Sequence, residues 1–557
     1  MKTTLHGYDI KFNIENYRAY VNIARYQCFR HTTRQGCAFM KRTVILIILD
    51  GWGIGRKDQS NPIHTAGLTN LPAIRTRYAI GTLQSSGIAV GLPWGAEGDS
   101  EVGHLTIGAG KVIYQHYPRI TLAIRNGDFF KNEALAGAAD YARTNHSALH
   151  LIGLLTAGNV HASLEHLKAL VVLAKERGVS DVNLHLVTDG KDSPPKSVLP
   201  LLRSVKEHLA GIGVGRIASI GGRFYGEDHD AHWNRTEKLF RVLLGEGPMA
   251  PDPVAYAAGF LARGLMDEYI EPALIGNEPH PVRDNDAIIF FDFREDSIRQ
   301  LASAFLLPAF ASFPRTLPNN LHVVTMTEYA KAFAAPVAYP PETITNPIGS
   351  VLANQGKIQI RIAETEKYAH VTYFFNGYRE EPFVNEYRVL IPSKPMLHPE
   401  QEPEMRTKEV AARVIESIGS GGFDFVLANF ANADVIAHTG NFEAAEAAVR
   451  AIDREVGNIA KAALDRDALL LITSDHAHVE TMLNPLTGVP ETGHHTNLVP
   501  FYLIGKEFVR PKSEADADML EKAAAGILAD IAPTILELME IPRPPEMTGQ
   551  SLVPLLE

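Results

Sequence analysis

The 557-residue sequence has only two cysteines, Cys28 and Cys37, both ahead of residue 40. That excludes a disulfide framework and a thiolate metal site in the main body of the chain. A reducing, cytoplasmic setting fits such usage. Long apolar runs are also missing, since none approaches the roughly 20 residues of a membrane-spanning helix. Positive charge is in deficit, with 53 Lys and Arg against 64 Asp and Glu and a net charge of −11. A broad nucleic-acid-binding face is therefore not expected, whereas a small anionic substrate remains open to a local cluster of cations. Neither a fixed-period repeat nor a low-complexity tract is found.

What is present is ordinary globular material, 45% hydrophobic and 21% charged, with length for two to four domains. Residues 1–39 are Tyr- and Arg-rich and have no apolar core of a signal peptide. They are expected to form a disordered N-terminal extension, with folded structure beginning near Met40 in MKRTVILIILDG. Short continuous apolar runs recur at 43–49, 148–155, 182–188, 287–293, 424–430 and 468–473. Amphipathic helical stretches lie between them. One is 441–464, where Ala444, Ala445, Ala448, Val449, Ile452, Val456, Ile459 and Ala460 make one stripe. Buried strands alternating with helices predict an α/β fold with mainly parallel sheets. Irregular segments near 113–120 and 333–349 read as crossings between domains. Residues 40–114 and 342–557 would then form one discontinuous domain and 115–341 an inserted one.

The stretch EGDSEVGHL (97–105) sets Ser100 between Asp99 and Glu101. Flanking carboxylates make a hydroxyl harder to ionise, so the plain reading is a loop in which Ser100 caps a short helix. A chemical role needs cations to draw the proton off. Candidate ligands for such cations follow strand-like runs: Asp50 after TVILIIL, Asp434 and His438 in ANADVIAHTG, Asp475-His476 after ALLLIT, and His494 in ETGHHTNLVP. Carboxylate and imidazole together suit Mn²⁺ or Zn²⁺. Two ions would lower the Ser100 pKa and make its oxygen a nucleophile toward phosphorus. Standard phosphate loops are absent, because GWGIG meets Arg56 where a third glycine is needed and GGRFYGED lacks a Gly-Lys-Ser/Thr ending. Anion-binding side chains gather instead in the middle of the chain: His161, Lys191 beside Asp192, Arg223, His229 and Arg294, with Lys367 further on.

The motifs LDGWGIG, DSEVGHLTIGAG, GLLTAGNVHASLEHL, TDGKDSPP, GGRFY, FFDFRED, RIAETEKYAHVTYFFNG, NFANADVIAHTG, TSDHAH and HHTNLVPF stand in order along the chain. Together they resemble cofactor-independent phosphoglycerate mutase of the alkaline-phosphatase superfamily, across nearly all of 40–557. The resemblance implies a phosphatase-like metal-binding domain interrupted by an inserted transferase domain. It implies interconversion of 3- and 2-phosphoglycerate through a phosphoserine at Ser100, without 2,3-bisphosphoglycerate. It also implies two Mn²⁺ ions, with Zn²⁺, Co²⁺ or Mg²⁺ as alternatives. One ion would be held by Asp434, His438 and His494, the other by Asp50, Ser100, Asp475 and His476. His161, Lys191, Asp192, Arg223, His229, Arg294 and Lys367 fall where the family binds substrate, and Asp192 would handle the glycerate hydroxyls. A monomer is the family habit.

The chain departs from the family pattern at several places. Asp99 stands where Asn is usual, Lys191, His229 and Ser297 stand where arginines are usual, and Ala477-His478 replaces a common Gly-Asn. Lysine loses the bidentate fork of arginine, and a histidine is only partly charged near neutrality. Two rivals share the same residues: a metal-dependent phosphomonoesterase, and a binding protein without turnover.

Overall fold

A computed structural model describes residues 42–394, 397–484 and 486–556. The expected extension at 1–39 lies outside the described residues. In chain order the strands are β1 (Val44–Leu49), β2 (Ala79–Gln84), β3 (Leu149–Leu155), β4 (Val182–Thr188), β5 (Arg216–Gly222), β6 (Met249–Ala250), β7 (Ala273–Ile275), β8 (Ala287–Phe290), β9 (His322–Thr325), β10 (Gln359–Glu364), β11 (Glu386–Ile391), β12 (Phe425–Phe430), β13 (Leu469–Thr473), β14 (Val499–Ile504) and β15 (Gly526–Ile527). The apolar runs read from the sequence coincide with β1, β3, β4, β8, β12 and β13.

Two sheets result, both of the expected α/β kind. One has eight strands in the order β11-β10-β12-β1-β13-β14-β2-β15, and β14 alone runs against its neighbours. The other has seven, β6-β7-β5-β4-β3-β8-β9, antiparallel only between β5 and β7. The whole second sheet is contributed by residues that interrupt the first. Strand β1 shows why its run is continuously apolar. Ile45, Ile47 and Leu49 enter one core while Val44, Leu46 and Ile48 enter another on the opposite face. A strand covered on both faces has no solvent side to make polar. Each of these side chains contributes about 1.5–3 kcal/mol by full burial. The second sheet has its own core, whose buried members run from Ile120 to Tyr339.

The helix His116–Asn126 corrects one expectation, because 113–120 is irregular only up to Gln115. Pro118 falls in the first turn, where its missing N–H costs nothing, and with Ile120 it is buried. The crossing chains run side by side. Lys111 Nζ pairs with Glu342 at 2.6 Å, and Arg119 donates to the Pro340 carbonyl at 2.6 Å. The segment 333–346 is irregular, as expected. Among the described residues no helix is long and apolar enough to cross a membrane.

Candidate active site

Parallel strands carry their following residues to one edge of the sheet. Neighbours β10, β12, β1 and β13 thus deliver Lys367, Asp434, Asp50 and Asp475-His476 to the same edge, although these lie up to 426 positions apart. His494 precedes β14, and since β14 runs the other way its start lies at that edge too. Ser100 arrives on the helix Ser100–Ala109, entered through a loop after β2.

The helix is capped by Asp99, not by Ser100. The Asp99 carboxylate accepts from the Val102 N–H at 2.8 Å, and Ser100 is the first helical residue. Glu101 faces solvent. One flanking acid is thus occupied by the cap and the other is exposed. The Ser100 hydroxyl meets a different set of groups: Asp50 Oδ1 at 3.1 Å, His476 Nε2 at 3.0 Å and Lys367 Nζ at 2.6 Å. Lys367, grouped by the sequence with the substrate residues, stands here, and it also donates to Asp50 at 2.7 Å and Asp434 Oδ2 at 2.8 Å.

These groups are buried, which sharpens their charges. Burial would neutralise the Lys367 ammonium, but Asp50, Asp434 and Asp475 outweigh it and hold the proton well above the ordinary lysine range. His476 is buried too, and the same three carboxylates raise it to about 10. The Asp434 and Asp475 carboxyls are held well below the usual range; burial opposes this, and Lys367 and His476 more than offset it. The protein's own cations thus hold the Asp434 and Asp475 carboxyls in their ionised form.

Asp434 also organises the imidazoles. Its Oδ1 lies 3.5 Å from His438 Nε2, 3.5 Å from His494 Nε2 and 2.7 Å from His478 Nδ1. His438 Nδ1 faces the Thr492 carbonyl at 3.0 Å, and His494 Nδ1 faces the Gly98 carbonyl at 2.7 Å. Donating those Nδ1 protons to carbonyls leaves both Nε2 lone pairs directed at Asp434, the arrangement a metal-ligating histidine needs. Burial lowers the His478 imidazole to about 4, so this ring is neutral at pH 7.

The residues fit divalent cations. Three sets bring their ligand atoms within 4.8 Å of one another: Asp434, His438, His478 and His494; Asp50, His104 and Asp475; and Asp50, Asp434 and His476. Asp475 Oδ2 is fully buried and accepts no hydrogen bond, an orphaned acceptor that a cation would satisfy. Ser100 adds a hydroxyl oxygen between the sets.

A second cluster forms by the same rule at the edge of the other sheet. β3, β4, β5 and β8 lead to His161, Asp189 to Asp192, Arg223 and Asp292. His161 Nδ1 meets Asp192 Oδ2 at 2.5 Å. The Arg223 guanidinium reaches Asp189 at 2.6 Å, Glu227 at 3.0 Å and Asp192 at 3.3 Å. Burial would raise the Asp189 carboxyl, but hydrogen bonds from Thr156, the Lys191 N–H and other donors hold it below its usual value. Asp292 is wholly buried and pushed up to about 7, and Glu227 beside it is pushed well above its ordinary value, in both cases chiefly by burial.

Three expected substrate residues are not drawn into this cluster by their side chains. Lys191 pairs with Glu268 at 3.2 Å and is 61% exposed, Arg294 pairs with Asp296 at 2.9 Å, and the His229 ring only approaches the Glu227 carbonyl at 3.3 Å. Ser297, at a position where the family has arginine, is buried and bonded to Asp296.

Sequence reasoning missed His104 and Asn429, and took His478 only as a departure. Asn429 donates to Asp50 Oδ2 at 2.7 Å and lies 3.0 Å from His104 Nε2. His104 Nδ1 lies 2.8 Å from the Ser100 carbonyl and 3.2 Å from Asp475 Oδ2. The available signal was spacing: His104 is four residues beyond Ser100, on the same helical face.

The Metalloenzyme superfamily matches residues 42–543. The chain is 44% identical over 519 residues to the 2,3-bisphosphoglycerate-independent phosphoglycerate mutase of Moorella thermoacetica, covering 92% of this chain and 99% of that protein. The first enzyme of that name from Methanosarcina barkeri is 43% identical, covering 92% and 98%. Among solved structures, a phosphoglycerate mutase from Leishmania mexicana at low cobalt concentration is 26% identical, covering 92% and 98% with a TM-score of 0.48. On the strength of the sequence relatives, the chain belongs to the family of 2,3-bisphosphoglycerate-independent phosphoglycerate mutases, within the Metalloenzyme superfamily.

Proposed function

We propose that the protein interconverts 3-phosphoglycerate and 2-phosphoglycerate through a phosphoserine on Ser100, without 2,3-bisphosphoglycerate. The observation that carries this reading is the placement of Ser100 Oγ within 3.1 Å of Asp50, His476 and Lys367, among residue sets suited to divalent cations. Asp434, His438 and His494 would hold one ion, and Asp50, Ser100, Asp475 and His476 the other, with Mn²⁺ as the metal of choice. Bound there, the cations would polarise the phosphate and lower the pKa of the Ser100 hydroxyl.

The chain's own groups do the rest. Ser100 Oγ attacks phosphorus in line with the departing glycerate oxygen, which leaves with the bonding electron pair and takes up a proton. Lys367 Nζ, already donating to Ser100 Oγ, compensates charge on the transferring group. The first turn of the helix Ser100–Ala109 presents its positive end to the phosphoryl group on Ser100. Glycerate stays enclosed and reorients, and its other hydroxyl attacks the phosphoserine. Asp192, fixed by His161, handles that hydroxyl proton, and Arg223 grips the carboxylate. Lys191, His229 and Arg294 would serve as further anion contacts once released from their present partners. Water must be excluded while glycerate turns, or the phosphoserine is hydrolysed.

This division of labour fits a discontinuous domain of 40–114 and 342–557 with 115–341 inserted, and the separate sheets and cores support it. The setting we infer is a cytoplasmic monomer with a small-molecule substrate and no nucleic-acid partner. Incubating pure protein with 3-phosphoglycerate and Mn²⁺ tests the reading. Appearance of the 2-isomer supports it, whereas free phosphate in its place would establish the phosphomonoesterase.

A further inference from the structure

His478 stands where the family commonly has asparagine, and its surroundings give it work that the residues reasoned from sequence do not include. Its ring is fully buried and packs edge-on against both His438, at 4.3 Å between centroids, and His494, at 4.9 Å. Its main chain is fixed, since the His478 N–H donates to Glu480 Oε2 at 2.8 Å. The same carboxylate accepts from the Gly53 N–H at 3.0 Å and from Asn497 at 2.7 Å. The ring therefore has little freedom to turn away.

Its Nδ1 joins three other donors. The edges between Asp434 Oδ1, His438 Nε2 and His494 Nε2 measure 3.5, 3.5 and 3.2 Å, and His478 Nδ1 lies 2.7 Å from Asp434 Oδ1. A tetrahedral ion with bonds of about 2.0–2.1 Å has ligand–ligand edges of about 3.3 Å. Three measured edges match that value; the fourth is the length of a hydrogen bond from His478 Nδ1–H to Asp434, and an ion would take that proton's place, leaving the ring's N–H on Nε2 and moving the ring slightly outward. A set of one carboxylate and three imidazoles is a tetrahedral zinc-type shell, whereas Mn²⁺ favours more oxygen ligands and a higher coordination number.

We propose that His478 is a fourth protein ligand of the ion held by Asp434, His438 and His494, which makes this site selective for four-coordinate Zn²⁺ or Co²⁺ over Mn²⁺. The proposal rests on the two-ion reading above. It separates the two ions chemically: one sits in an imidazole-rich shell, the other among Asp50, Asp475, His476 and the serine oxygen.

The test is cobalt titration of the metal-stripped protein, followed by visible absorption, with His478→Asn alongside. The unaltered protein should take up two equivalents, one of them giving the intense visible bands of tetrahedral Co²⁺. In H478N those bands should collapse to the weak absorption of a five- or six-coordinate ion. Chelator competition should show that equivalent weakened by at least about 10-fold, the loss that even an outer partner's removal causes, with the other unchanged. Identical bands and affinities in the two proteins would overturn the inference. Failure of the unaltered protein to bind any divalent ion would overturn the two-ion reading itself. Circular dichroism of the metal-free variant checks that it folds. If it does not, a zinc-loaded crystal of the unaltered protein decides, with the His478 ring nitrogen bonded to the ion or turned away from it.

Discussion

The two sheets use one topological device for two chemistries. Each gathers polar residues beyond the carboxyl ends of neighbouring parallel strands, yet the groups they gather differ. The eight-stranded edge collects carboxylates, imidazoles, one lysine and one serine, all held in the interior apart from the His438 and His494 rings at its border. The seven-stranded edge collects Arg223 and His161 among Asp189, Asp192, Glu227 and Asp292. At the first edge the ligand atoms are fixed by main-chain partners, as the Thr492 and Gly98 carbonyls fix His438 and His494. At the second the outer cations Lys191 and Arg294 are held by exposed ion pairs, worth about 0–1 kcal/mol each. An anionic ligand exchanges such partners at little cost. Rigid ligands suit a site that must position ions, and loosely paired cations suit one that must grip and release a substrate.

Substitutions at the two edges should therefore fail in different ways. Ser100→Ala should have the largest effect, lowering turnover by about 10⁴-fold or more as losses of a nucleophile do. Calorimetric titration should still show substrate binding, with the ion held by Asp434, His438 and His494 retained and the ion ligated by Ser100 bound more weakly. Arg223→Lys breaks the other edge. It keeps the charge but loses the fork, and should lower kcat/KM by about 10- to 100-fold, mostly through KM, as for a charged hydrogen bond worth about 1.5–3 kcal/mol. Both ions should stay bound, since Arg223 lies at the other edge.

A stability measurement sharpens the contrast further. Burial lifts Asp292 from 3.8 to about 7 in the folded chain, so between those values the folded state keeps a proton that the unfolded state has lost. Stability from this group is full below pH 4, declines as pH rises, and levels off above about 7. Asp292→Asn has no such proton to lose. Its melting temperature should match the parent near pH 4 and exceed it increasingly up to pH 8. A constant offset across that range would show that Asp292 does not hold a proton in the folded chain. The smallest effect belongs to Arg294→Ala, where loss of an exposed pair with Asp296 should change kcat/KM by less than about 5-fold.

Most strands were legible because burial on both faces leaves one signal, an unbroken apolar run, as in VILIIL of β1 and LLLIT of β13. The residues just past those runs were legible for the same reason: strand ends are visible, and Asp50, Asp434 and Asp475-His476 follow them. Asn429 was not legible. It lies inside a buried strand, and its contact with Asp50 depends on β12 pairing with β1, which only the register Ile48↔Asn429 reveals. His478 was seen as a departure from a pattern, but its value lies in a loop turning back toward Asp434. The helix at 116 was hidden by His116, Tyr117 and Pro118, which read as a break and in fact form a first turn. Lys367 was grouped by company in sequence with the anion-binding side chains, and its place beside Ser100 emerged only once β10 proved to lie beside β12.

During turnover Ser100 should carry the phosphoryl group. Rapid acid quench of the metal-loaded protein with 3-phosphoglycerate, followed by peptide mass spectrometry, tests it directly. Phosphate should appear on the peptide containing Ser100, formed and consumed as fast as the 2-isomer appears. Isomerisation at full rate with Ser100 unmodified at every quench time would contradict it.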